Sequence, residues 1–246
     1  MAEAVVATLL GALAGSFANV AIHRLPRHES VITPRSRCPH CGSLIRARDN
    51  VPLLSFLWLR GRCRDCGARI SWRYPLVETS TALLFLAAWW TFGLSAAALA
   101  AAIFAVIMIV VIFVDLDHQI IPNALTYPGL VVGLALSGVG GPRVFLVHLA
   151  AALGAGVAFF LIAVLSRGGM GGGDVKLAAV MGAFLGWPLI AAAMFISFLL
   201  GGVVGITLLL ARLRGRKDPV PFGPFLAVGG LGALFWGNAL IQWYLG

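Results

Sequence analysis

The amino-acid sequence predicts an all-α polytopic membrane protein of about eight transmembrane helices, with a small cytoplasmic zinc-ribbon-like insert. Three observations carry this. Hydrophobic residues make up 60% of the 246-residue chain and charged residues 11%, where a soluble domain has about 25% charged. Apolar runs of membrane-helix character recur along the chain. The basic residues gather on alternate connections between those runs.

The runs fall at about 4–22, 76–92, 95–114, 124–138, 144–165, 175–186, 188–211 and 222–245. A spanning helix needs roughly 20 residues, so the shorter ones must tilt, pair or border a cavity. The first run has Glu3 before it and His23-Arg24 after it. A secretory signal has the opposite charge order, so this run reads as a retained helix with its N-terminus outside. Eight spans then place residues 23–75, 115–123, 166–174 and 212–221 in the cytoplasm. With the flanking Arg167 and Lys176, those connections hold 17 of the 18 Lys and Arg residues, and only Arg143 falls elsewhere. This positive-inside bias accounts for the net charge of +9 without a nucleic-acid partner. It leaves the basic face free to hold anionic lipid. The expected organisation is a first transmembrane helix (1–22), a cytoplasmic four-cysteine module (23–75) and a membrane helical bundle (76–246).

The insert contains all four cysteines, as Cys38-Pro-His-Cys41-Gly and Cys63-Arg-Asp-Cys66-Gly. Two CxxC pairs with this separation match a zinc ribbon, slightly beyond the usual spacer. Each pair offers two thiolates from a tight turn, and four thiolates close a structural tetrahedral site. Two disulfides are the alternative, which a cytoplasmic compartment disfavours. His40 reads as a surface residue of the first turn. The insert has few apolar residues, and so small a core calls for a metal staple.

The chain has nine Asp and Glu, and three of them sit at the ends of apolar runs, where an ionisable residue is usually retained for function. Asp115 and Asp117 follow Val114. Asp174 ends the run Gly168-Gly-Met-Gly-Gly-Gly-Asp174. In a continuing helix, residues two apart point about 200° from each other, so at most one of Asp115 and Asp117 can share a site with Asp174. A bland reading remains for each acid. Asp115 and Asp117 can end a helix in water, although acids there oppose the macrodipole, and Asp174 can be an N-cap. Gly171, Gly172 and Gly173 would let an extended substrate backbone lie beside Asp174. Lys176 reads as an interface anchor and His118 as a surface or gating residue. A proton-coupled transporter would also keep carboxylates in a bundle. A zinc-stapled membrane scaffold would explain the cysteines but leave the glycine-aspartate run idle.

Taken together, the four-cysteine module, Asp115-Leu-Asp-His-Gln-Ile-Ile-Pro122 and Gly171-Gly-Gly-Asp174-Val-Lys-Leu177 resemble the bacterial type IV prepilin leader peptidases. Gly15-Ser-Phe-Ala-Asn19-Val-Ala-Ile-His-Arg24-Leu-Pro26 and Arg73-Tyr-Pro75-Leu-Val-Glu78 are similar to that family as well. The resemblance implies a membrane aspartic protease of the GxGD type, with Asp115 and Asp174 as catalytic aspartates and Asp117, Gly171, Gly173 and Lys176 in support. It implies prepilins and type II secretion pseudopilins as substrates, cut behind a short basic leader at the cytoplasmic face of the inner membrane. It also implies N-methylation of the new amino terminus with S-adenosylmethionine, for which the sequence identifies no pocket; peptidase activity alone is the alternative. Two departures from the family pattern are mild: Gly172 fills the x of GxGD, and Asn123 follows Pro122 where Asp is frequent.

Overall fold

The computed structural model describes residues 1–166, 169–213, 215 and 220–245. Each of the eight apolar runs is a helix, and no strand occurs among the described residues. The helices are α1 (Ala2–Arg24), the short α2 (Leu54–Trp58) inside the insert, α3 (Arg73–Phe92), α4 (Ala96–His118), α5 (Asn123–Gly138), α6 (Pro142–Leu165), α7 (Gly172–Leu185), α8 (Leu189–Leu210) and α9 (Gly223–Leu245). Of the basic residues used for topology, Arg167, Arg214, Arg216 and Lys217 lie outside the described residues, as does Gly168 of the glycine run.

Among the described residues, five helices are long and apolar enough to cross a membrane: α1, α4, α6, α8 and α9. The others fall short for different reasons. With 16 and 14 residues, α5 and α7 reach only about 24 and 21 Å at 1.5 Å per residue, less than a hydrocarbon core of about 30 Å. Helix α3 has Arg73 and Glu78 in its first two turns.

The chain forms two compact units, Met1–Ala98 and Leu99–Gly246. In the first, α1 packs along α3 through small residues. A Cβ placed on Gly15 would lie 2.7 Å from the Glu78 Cα, and one on Gly11 2.7 Å from the Ala82 Cα. The buried Asn19 donates its side-chain amide to the Tyr74 carbonyl (3.2 Å). The Arg24 guanidinium closes the following turn on the carbonyls of Ser30 (2.8 Å) and Pro34 (2.7 Å). The two N-terminal motifs singled out from sequence are therefore each other's packing partners. Glu78, also buried, accepts the Leu53 N–H at 2.8 Å. Leu53 has φ +61°, a region costly for a branched side chain, so this contact holds the start of α2 in a conformation that it would not otherwise favour.

In the second unit α4 and α7 are buried nearly all round: Phe104, Met108, Val111 and Val114 on α4 and Leu177, Val180 and Met181 on α7 are fully enclosed. Helices apolar on every side belong at the centre of a bundle. Around them α6 packs on α7, α8 on α9, and α5 on both α6 and α7. The end of α4 and the starts of α7 and α9 lie at one end of this unit, where Asp115 accepts the Gly223 N–H and is within electrostatic range of Asp174.

Glu78→Ala should leave the Leu53 amide without its acceptor, a loss of about 1–3 kcal/mol. The expected result is faster proteolytic nicking between residues 50 and 60 and a lower melting temperature in detergent. Unchanged nicking would mean that Glu78 does not hold the insert.

Candidate active site and metal centre

Helix α4 does not stop before the acids, as the run 95–114 suggested, but continues through His118. It ends where Gln119, at φ +53°, folds its amide back to the Asp115 carbonyl (2.9 Å). Pro122, extended at φ −64° and ψ 134°, then caps α5. Because the helix persists, its period separates the acids as expected: Asp115 is 5% exposed, and Asp117 and His118 are on the open side.

Asp174 is 8% exposed, and the alternative that it is the N-cap of α7 does not hold. Gly171 holds that place, extended at φ −76° and ψ 148°. Asp174, three residues on, reaches back so that its Oδ2 accepts the Gly171 N–H at 3.2 Å, while its own N–H donates to the Gly171 carbonyl at 3.1 Å. A carboxylate in this first turn gains from the helix dipole. Gly172 and Gly173 belong to the helix and are not extended. Gly173 lies against the buried Ile121, where a Cβ would approach the Ile121 Cβ to 3.0 Å; beside Gly172 the space is open. Of the three glycines, only Gly171 has an extended backbone, and its N–H and carbonyl are both engaged by Asp174.

Asp115 and Asp174 are close enough for their charges to act on each other. The group that holds Asp115 is a main-chain amide that no side chain in the sequence marks. The backbone N–H of Gly223, at the start of α9, donates to Asp115 Oδ2 at 2.9 Å in a buried contact. An acid at the end of α4 opposes that helix's dipole, and here the start of another helix offsets it. The available signal was Pro221-Phe-Gly-Pro224, a glycine between prolines ahead of an apolar run.

Lys176 Nζ donates to Asn123 Oδ1 and lies 5.8 Å from the centre of the Tyr127 ring. It links α7 to α5 at the edge of the acid pair and touches neither aspartate through any hydrogen bond among the described residues.

In the insert the sulfurs of Cys38, Cys41, Cys63 and Cys66 all lie within 4.8 Å of one another, and no disulfide joins them. The two turns are built alike. Cys38 N–H donates to Ser43 O (2.9 Å) and Gly42 N–H to Cys38 O (2.9 Å); Cys63 N–H donates to Ala68 O (2.8 Å) and Gly67 N–H to Cys63 O (3.0 Å). Gly42 and Gly67 share φ +72°, which glycine adopts without strain. A tetrahedral ion with metal–sulfur bonds of about 2.3 Å places its sulfurs about 3.8 Å apart. The Cys38 and Cys66 sulfurs are 3.9 Å apart, so the donor set fits such an ion. The hydroxyl of Ser43, and then its amide, draw the Cys41 thiol down to about 6, while, against the Ala68 amide's hydrogen bond, burial and the three neighbouring thiols push Cys66 up to about 12. Arg64, between the second pair of cysteines, grips Asp49 with two hydrogen bonds (2.8 and 2.6 Å). That grip holds the Asp49 carboxyl below its ordinary range. His40 is exposed and outside the cluster.

The chain is similar to known proteins along nearly its whole length. Residues 9–92 match the bacterial peptidase A24 N-terminal domain, and residues 102–206 match the type IV leader peptidase family. The chain is 40% identical to a prepilin leader peptidase/N-methyltransferase of Aeromonas hydrophila, over 96% of this chain and 92% of that protein. It is 38% identical to one of Legionella pneumophila (94% and 91%) and 37% identical to one of Bacillus subtilis strain 168 (96% of each chain). No solved structure matches.

Asn123→Asp would turn the Lys176 hydrogen bond, already charge-assisted through the ammonium, into an ion pair. It should raise stability by up to about 1 kcal/mol, discounted for its exposure. A fall in the melting temperature would contradict the contact between α5 and α7.

Proposed function

Since the chain belongs to the type IV leader peptidase family, we propose that it removes the short basic leader of type IV prepilins, with Asp115 and Asp174 as the aspartyl dyad, and methylates the amino terminus so exposed. The observation that carries the dyad is the burial of these two carboxylates, 59 residues apart in sequence (174 minus 115), within electrostatic reach of each other.

In this reading one aspartate is ionised and accepts a proton from water, whose oxygen attacks the scissile carbonyl carbon. The other is neutral and donates its proton to the carbonyl oxygen. As the tetrahedral intermediate collapses, the C–N bond breaks, the leaving nitrogen takes up a proton from the pair, and one hydroxyl of the intermediate returns its proton to the pair as the carbonyl reforms. The Gly223 and Gly171 amides hold the two carboxylates throughout. Asp117 lies outside the buried pair as a neighbour on α4. Gly171 and Gly173 shape the start of α7, and Lys176 ties that helix to α5.

The membrane reading is an eight-span protein of the bacterial inner membrane, with α3, α5 and α7 completing the five longer helices. The positive-inside charge distribution supports placing the acid pair and the insert at the cytoplasmic side, where a basic leader would lie ahead of its apolar helix. The organisation proposed is the first helix (1–22), the cysteine module (23–75) and the peptidase bundle (76–246). Membrane lipid surrounds the bundle, and type II secretion pseudopilins are further candidate substrates. The methyl donor proposed is S-adenosylmethionine, which supplies an electrophilic methyl group to the new amine; no residues are assigned to hold it. Zinc is the proposed ion for Cys38, Cys41, Cys63 and Cys66, since four thiolates suit a closed structural site with no catalytic position.

Incubation of the purified protein with a prepilin in detergent, followed by mass measurement, tests the reading. Both leader loss and a methyl increment are expected. Asp115→Asn and Asp174→Asn should each reduce leader removal by about 10²–10⁴-fold while the protein remains inserted; wild-type cleavage by either variant would overturn the dyad. Elemental analysis should find about one zinc per chain. Cys63→Ser should lower that content and expose the insert to protease, and full zinc retention in this variant would exclude the four-thiolate site.

A further inference from the structure

Helix α9 begins outside residues 102–206, which carry the family match, yet its first amide ends on a catalytic candidate. The local sequence explains why that amide is available. Phe222 precedes α9, and its carbonyl accepts the N–H groups of Phe225 (3.0 Å) and Leu226 (3.1 Å). Pro224 has no N–H to offer. Gly223 therefore supplies the first backbone donor of the helix, and it is directed at Asp115 Oδ2.

The space at Gly223 is as restricted as its donor is directed. A Cβ there would lie 2.7 Å from Asp115 Oδ2 and 3.0 Å from its Cγ. The side that gives way would be the end of the carboxylate or the start of α9, and either movement breaks the contact. The residue before it is held by aromatic packing. The Phe222 ring centre lies 5.4 Å from that of Phe198 on α8, 6.4 Å from Phe159 on α6 and 6.1 Å from Phe225 on α9. Gly201 on α8 leaves room for this ring, since a Cβ there would meet Phe222 Cε2 at 2.9 Å. A chain of contacts thus runs from α6 and α8 through Phe222 to the Gly223 amide and the Asp115 carboxylate.

We propose that Phe222 and Gly223 are positioning residues of this peptidase: the aromatic seat of Phe222 fixes the Gly223 N–H, and that N–H fixes the Asp115 carboxylate against Asp174. The proposal rests on the aspartyl reading above. Neither residue is asked to touch the substrate, so their effect falls on turnover and not on binding.

The test uses the full-length protein in detergent, a purified prepilin as the cleavage substrate, and a pre-cleaved pilin peptide with a free amino terminus as the methyl acceptor. Gly223→Ala should lower kcat for leader removal by about 10²-fold, the scale expected when a reacting group is displaced by about 1 Å. The KM and methyl transfer to the pre-cleaved peptide should stay at wild-type values. Phe222→Ala, which leaves the space at Gly223 intact, should show the same split with a smaller kcat loss of about 10-fold. Gly232→Ala, in the same helix with only Ile196 Cδ1 at 3.6 Å, should match the wild type in both reactions. Wild-type kcat in Gly223→Ala, with Asp115→Asn inactive, overturns the positioning role and leaves the dyad standing. Wild-type cleavage by Asp115→Asn removes the dyad and the positioning role with it. Parallel loss of cleavage, methyl transfer and melting temperature in both Gly223→Ala and Phe222→Ala would reduce the element to a general structural part and likewise overturn the proposal.

Discussion

A carboxylate placed in the last turn of an apolar helix is opposed by burial and by the helix dipole together, and something must offset both. For Asp115 the offset is the N–H of Gly223, 108 residues further along the chain. The second unit is arranged consistently with that bond. The end of α4 lies at the start of α9. Its aromatic residues gather beside Phe222. Asp174 obtains a donor by the shorter route, from the Gly171 amide of its own helix. Each acid therefore sits at a helix N-terminus, one its own and one borrowed.

The first unit solves a different problem with similar means. An insert with so few apolar residues cannot fix its own position. Its α2 begins at a Leu53 whose left-handed backbone is held by Glu78. The cysteine turns bring their own symmetry, with matched hydrogen bonds around Cys38 and Cys63, and Arg64 and Asp49 join one turn to the segment between them.

Much of this was legible in the sequence because it depended on local pattern. The eight helices followed from unbroken apolar runs. The divergence of Asp115 and Asp117 followed from the helical period alone. The cysteine cluster followed from two equal spacings. The start of α7 was harder to place, since Gly171, Gly172 and Gly173 carry no side chains to mark a boundary, and Asp174 suits the cap and the third helical position almost equally. Gly223 was harder still. Its contribution is a main-chain N–H acting across 108 residues, and the only written trace is a glycine set between two prolines. Glu78 stood out within its motif, but its partner is the amide of a leucine with positive φ, a conformation that no residue preference predicts.

The length of α7 has a consequence for how the reaction is approached. A helix of about 21 Å cannot reach both faces of a slab about 30 Å thick, and tilting would only shorten its reach further. Where the far end of α7 is level with the far face of the membrane, the surrounding lipid dips toward Asp174, or water descends to it, through roughly the 9 Å that remain. The acid pair would then lie on the floor of a shallow well in the bilayer surface. A leader still folded as a continuation of its own membrane helix could not follow the floor of such a well, so the bond to be cut would have to unwind locally before it met the two carboxylates.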